Sequence, residues 1–125
     1  MRNVLVIAFI VGLALPGIAH AYAAFRTPGR TAYCGPSEGE RPILFVCWTP
    51  SDGYSVSMFA RGRANGHFSR LNTGAYQDLA PVLRFAHTWR AVASFTCTSR
   101  TSGLTCRNGA GHGWWLGRDN GNRLF

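Results

Sequence analysis

Apolar residues along this chain fall into one long run at the start and then only short runs cut by Gly, Pro, Ser and Asn. A helical period is nearly absent after the first twenty or so residues, so the pattern predicts strands joined by turns. Ile43, Leu44, Phe45, Val46, Cys47 and Trp48 are apolar on both alternating faces, as in a central strand covered on two sides. Tyr54, Ser55, Val56, Ser57 and Met58 alternate as a half-buried strand does, and Thr49, Pro50, Ser51, Asp52 and Gly53 supply the turn between the two. Residues 61–78 read as loop, with a short helical turn at 76–79. Pro81 then holds Ala80 extended, and 82–85 reads as another short strand.

The clearest unit is a hairpin around Thr101, Ser102 and Gly103. If Cys97 faces Cys106, then Ala93, Phe95, Cys97, Leu104 and Cys106 share one face, and Ser94, Thr96, Thr98, Thr105 and Arg107 share the other. A glycine-rich break over 108–113 leads to a final strand at 114–116, and a turn at 119–122 leads to Arg123, Leu124 and Phe125. The expectation is an all-β domain of six to eight short strands, a small disulfide-stapled β-sandwich or open barrel, with Phe45, Trp48, Phe59, Phe85, Trp89 and Phe95 in its core.

The opening run changes the picture of where this domain resides. Arg2 precedes nearly unbroken apolar sequence at 4–15, Pro16 and Gly17 break any helix, and Ala19, His20 and Ala21 match a small-x-small cleavage pattern. Ala21, Tyr22 and Ala23 fit the same pattern two residues later. The run is shorter than the roughly 18–20 apolar residues that span a bilayer. It therefore reads as a signal peptide over 1–21, followed by one domain over 22–125 with no transmembrane segment, secreted or periplasmic. Four cysteines, Cys34, Cys47, Cys97 and Cys106, fit an oxidising compartment. Local pairing across turn-rich segments predicts Cys34–Cys47 and Cys97–Cys106.

Charge bears on partners. Every one of the 13 basic residues is Arg, against 5 acids, for a net charge of +8. Such a chain is drawn to polyanions and anionic surfaces, which speaks to partners in bulk and not to a site.

Several segments together resemble a known group. Phe25, Arg26, Thr27, Pro28 and Gly29 are similar to an FRTPSG-type opening, and residues 95–108 to its Cys hairpin. Gly111, His112, Gly113, Trp114, Trp115 and Leu116 resemble a GHGF-type continuation before a closing Arg-Leu-Phe. Pro81, Val82, Leu83 and Trp89 add a little in the middle. Gly29 and Arg30 stand in place of Ser-Gly, and Trp48 in place of an acid. The group is a family of small exported bacterial domains of unknown function; the resemblance implies export and a shared fold and no reaction.

Candidate chemistry is sparse. The chain is expected to carry no cofactor and no metal: the cysteines lack CxxC spacing and serve better as disulfides. Trp114 and Trp115 are strand neighbours and point to opposite faces, so either the strand is covered on both sides or one indole lies near the surface. With Arg107, His112 and Arg118 nearby, an exposed indole would form a cationic, flat binding patch. His112, between Gly111 and Gly113, is either a ligand contact or a half-exposed turn residue. The expected function is a monomeric, non-enzymatic binding protein for an anionic polymer, a glycan or a protein. The alternatives are a metal-independent nuclease using Glu38 or Glu40 with His67, His87 or His112, and an inhibitor presenting a loop.

Overall fold

A computed structural model of the chain describes residues 24–37, 42–68, 80–91, 94–119 and 121–125. The expected signal segment, Glu38, Glu40, Ala93 and the expected turn at 76–79 lie outside the described residues.

Short strands and tight turns give two antiparallel sheets, each a simple meander, not closed into a barrel. The first contains β1 (Phe25–Arg26), β2 (Tyr33–Pro36), β3 (Phe45–Thr49), β4 (Tyr54–Met58) and β5 (Asn65–Phe68). The second contains β6 (Thr88–Arg90), β7 (Thr96–Arg100), β8 (Gly103–Arg107), β9 (Gly113–Gly117) and β10 (Arg123–Leu124). Both disulfides form as expected, Cys34–Cys47 across β2 and β3 and Cys97–Cys106 across β7 and β8. In each, the cysteines are directly opposed with Cα atoms 4.1 Å apart, the close spacing of a non-hydrogen-bonded antiparallel pair.

The inner faces meet along two rows. Phe25, Cys34, Cys47 and Val56 are register neighbours in the first sheet, and Trp89, Cys97, Cys106 and Trp114 in the second. Phe45, fully buried on β3, stacks on Trp89, Phe95 and Trp114 of the opposite sheet at centroid distances of 5.2, 5.1 and 5.6 Å. The Sγ atoms of Cys34, Cys47 and Cys106 lie within 4.8 Å of one another. The core is thus a stack of aromatic rings around two neighbouring disulfides, a way for a small domain to supplement limited apolar area.

The Cys hairpin follows the sequence pattern. Phe95, Cys97, Leu104 and Cys106 are buried, Thr96, Thr98 and Thr105 are half-buried on the other face, and Thr98 opposes Thr105. The turn at 49–53 closes through Asp52, whose Oδ1 accepts from the Thr49 hydroxyl and from the Tyr54 N–H at 3.1 Å.

Other expectations need correction. There are ten strands among the described residues, not six to eight. β5 runs through a segment read as loop; it is an exposed edge strand held by backbone pairing to β4, and the Tyr54 ring lies across Gly66, where a Cβ would sit 2.0 Å from the phenolic oxygen. Residues 82–85 form no strand. Val82 makes one parallel bridge to Arg26, and Phe85 enters a turn. The strand at Trp114 is not the last, because β10 pairs alongside it. Phe59 and Phe85 are 46% and 42% exposed: Phe59 follows Met58, which takes the inward position, and Phe85 lies on the turn. β3 is covered fully on one side only, with Val46 and Trp48 half-buried. No helix among the described residues is long and apolar enough to cross a membrane.

Candidate functional site

Strand alternation places the side chains of the second sheet's outer face in rows that cross all five strands. One row runs Thr88, Thr98, Thr105, Trp115 and Arg123. The next runs Arg90, Thr96, Arg107 and Gly113, with Phe125 continuing it through paired backbone bonds to Gly113 of 2.9 and 3.0 Å. None of these residues is acidic, and Arg90, Arg107 and Arg123 are exposed.

Trp115 is seated by glycine. A Cβ at Gly117 would lie 2.5 Å from its ring, one at Gly103 would lie 3.0 Å from its Nε1, and one at Gly121 3.3 Å from the ring. Three missing side chains therefore let the indole lie down along the sheet, half-buried. Arg123, its cross-strand partner, sets its guanidinium carbon 5.0 Å from the ring centroid. Arg107 does the same over Phe125 at 4.7 Å, with no side chain on the intervening Gly113 to separate them. Both contacts are cation–π pairs that hold arginines flat against the sheet.

Asn108 fixes the approach to this face. It is buried; its Nδ2 donates to the carbonyls of Phe59 and Gly62 at 2.9 and 2.7 Å, and its Oδ1 accepts from the N–H groups of Ala110 and His112 at 3.0 and 3.1 Å. One amide thus joins the β8–β9 turn to the chain leaving β4, and so ties the two sheets. Asn108→Ala would strand two carbonyls and two N–H groups at about 1–3 kcal/mol for each that stays dry. We expect it to destabilise by about 2–4 kcal/mol, read as a lower urea midpoint; a change under about 0.5 kcal/mol, the scale of ordinary surface substitutions, would refute the role.

His112 follows this turn and faces a shallow groove of about 360 Å³ with Arg63, Leu124 and Phe125. It is half-buried, as a turn residue.

Of the five residues singled out from sequence, three share a neighbourhood. Arg107 is paired with Gly113, next to His112, and Trp115 lies in the adjoining row. Trp114 does not belong there: it is fully buried and stacked on Phe45. Arg118 follows the far end of β9, about 16 Å from Gly113 at strand rise, beside the turn at 101–102. The three histidines named for hydrolysis are dispersed. His67 is on edge strand β5, His87 precedes β6 and bonds Ser99 at the 101–102 end, and His112 is at the opposite end of the β7–β8 hairpin. Arg90, Arg123, Phe125 and the threonine row were missed; extending the alternation of the hairpin to the chain's closing Arg-Leu-Phe would have found Arg123 and Phe125.

The model of a family of unknown function, DUF6636, matches residues 45–125, from β3 to the last residue. The chain belongs to this family. The DUF6636 match takes in the whole second sheet and Asn108, while the FRTPSG-like opening and Cys34 lie outside it. No curated protein and no solved structure matches the chain.

Proposed function

We propose that this DUF6636 protein is an exported binding protein that docks a linear anionic glycan on the outer face of its second sheet. The observation that carries the reading is the composition of that face: exposed arginines with no carboxylate among them, a row of threonine hydroxyls, and a supine indole, all on one flat surface. Arginine supplies long-range attraction and directed hydrogen bonds to acidic groups. Threonine hydroxyls match sugar hydroxyls, and the Trp115 indole holds the Arg123 guanidinium, 5.0 Å from its ring centroid, on the same face as Arg90 and Arg107 for an acidic group. Arg90 and Arg107, two strands apart, stand about 10 Å from each other at the usual strand spacing, a separation that favours a repeating polymer over a single ion. The two disulfides accord with a life outside the cytoplasm.

The test is a titration of a sulfated linear polysaccharide and its desulfated form at several salt concentrations. The sulfated chain should bind and the desulfated one should not. Arg107→Gln should flatten the salt dependence by about one unit of log–log slope, as for lost phosphate contacts in nucleic-acid binders. Trp115→Ala should weaken binding by about 0.5–2 kcal/mol, the scale of the cation–π pair that places Arg123, and leave the slope unchanged because no charge is lost. Equal binding of both polymers, or no effect of Trp115→Ala, would refute the proposal.

A further inference from the structure

Six large apolar side chains stand exposed among the described residues: Phe59, Phe68, Val82, Phe85, Leu124 and Phe125. Three of them are scattered, Phe68 on edge strand β5, Val82 beside β1 and Phe85 on the turn bonded to Ser99. The other three come to one end of the sandwich. Asn108 brings Phe59 there, because its amide holds the carbonyls of Phe59 and Gly62 while its Oδ1 holds the N–H groups of Ala110 and His112. Beyond Gly62 the chain passes the closing residues, so that Arg63, Ala64, His112, Leu124 and Phe125 line one shallow groove. Phe125 is held at this end by its paired bonds to Gly113.

Charge accompanies these apolar groups. Arg61 and Arg63 are exposed on the same segment as Phe59, and Arg61 borders the turn at Gly109 and Ala110. The two acids among the described residues are remote. Asp52 is bonded to Thr49 and Asp119 follows Arg118, and Thr49 and Arg118 both lie at the opposite end. Exposed apolar side chains beside cations, with no Asp or Glu among the described residues of that end, match an anionic bilayer. Its acyl boundary takes the apolar groups and its phosphates take the guanidiniums. The three apolar groups rise from separate segments, and a fluid layer of lipids needs no shaped counterpart to meet them. Arginines free to move on the surface suit such a layer equally well.

We propose that this end of the sandwich docks on an anionic lipid bilayer, with Phe59, Leu124 and Phe125 entering the headgroup boundary and Arg61 and Arg63 on lipid phosphates. It goes beyond the glycan surface and does not rest on it, since Trp115 and the threonine row take no part.

The experiment sediments the oxidised protein with vesicles of phosphatidylcholine alone and of phosphatidylcholine mixed with phosphatidylglycerol. The mixed vesicles should bind it and the neutral ones should not. Arg61→Gln and Arg63→Gln should each weaken binding by about fivefold, the scale of one basic residue at an anionic surface. Phe59→Ala and Leu124→Ala should each weaken it severalfold and keep the salt dependence, because apolar transfer is not screened. Arg100→Gln, the same change of charge at the opposite end, should leave binding largely unaltered, and so should Trp115→Ala, which disables only the glycan face. All the replaced side chains except Trp115 are exposed, so those variants should keep their thermal midpoint. Phe59→Trp adds a reading of depth: lipids brominated on their acyl chains should quench its fluorescence beyond the wild-type level, and should not do so in Phe85→Trp. Failure to bind mixed vesicles, an equal loss in Arg100→Gln and Arg63→Gln, or no added quenching in Phe59→Trp would each overturn the proposal.

Discussion

Removing both disulfides should leave the domain largely unfolded at ambient temperature. The bridges close loops of 13 and 9 residues in sequence separation, and the chain-entropy relation assigns each about 3 kcal/mol. Small domains have only about 5–15 kcal/mol of total stability, so losing both consumes most of it. Either pair of Cys→Ala substitutions alone, Cys34→Ala with Cys47→Ala or Cys97→Ala with Cys106→Ala, should lower the thermal midpoint by roughly 10–20 °C. The two effects should not simply add. Because sulfurs of both bridges lie within 4.8 Å of one another in the core, the first loss lets the neighbouring side chains shift into the space the second would vacate, and sites that share neighbours commonly couple by about 0.5–3 kcal/mol. Urea unfolding of the two paired variants and the fourfold variant measures this. A fourfold variant with the wild-type midpoint would show that the aromatic stack alone carries the fold.

Trp114 should show the largest effect of any single side chain, and its two replacements should differ in a diagnostic way. Its ring is fully buried and parallel to Phe45, with an interplanar angle of 1°. Truncation to Ala should cost about 3–5 kcal/mol, the range for large aromatic residues in cores. Its Nε1–H, however, is buried and finds no acceptor among the described residues, a condition that carries about 1–3 kcal/mol of desolvation. Trp114→Phe removes that orphan donor and keeps a ring against Phe45. It should therefore cost about 1–2 kcal/mol, well below the Ala variant, because the smaller ring leaves only a small cavity and the unpaired donor is gone. Chemical denaturation of the two variants decides. If Phe is as damaging as Ala, the indole is held by its shape alone and the orphaned N–H is not a stability cost.

The contrast between Trp114 and Trp115 shows what one sequence reveals. That the two indoles must part is legible, because strand neighbours point oppositely. Which one enters the core is not: Trp114 continues the cysteine row through the β8–β9 register, and the glycine-rich segment between those strands carries no polarity pattern that would set it. The Cys hairpin was readable because polarity, turn residues and cysteine positions all demand one register. β5 was not, since an edge strand exposed on both faces has no hydrophobic alternation to announce it, and Asn65–Phe68 contains a glycine and two polar residues. Arg118 looked like a neighbour of Arg107 because both lie close to Trp115 in sequence, yet extended chain carries residues apart by about 3.3 Å each. Asn108 drew no attention within its glycine-rich break. Its importance arises from carbonyls of Phe59 and Gly62, nearly fifty residues away, and no local pattern encodes such a meeting.

Each strand in both meanders pairs with the one before and after it in the chain, and this order bears on how the cysteines find their partners. Contacts between chain neighbours form with little loop-closure cost and favour fast folding. For a chain that folds from its N-terminus as it emerges, Cys47 is the first thiol to follow Cys34, and Cys106 the first to follow Cys97. Oxidation in order of arrival would thus yield the native connectivity directly, with no bond left to reshuffle.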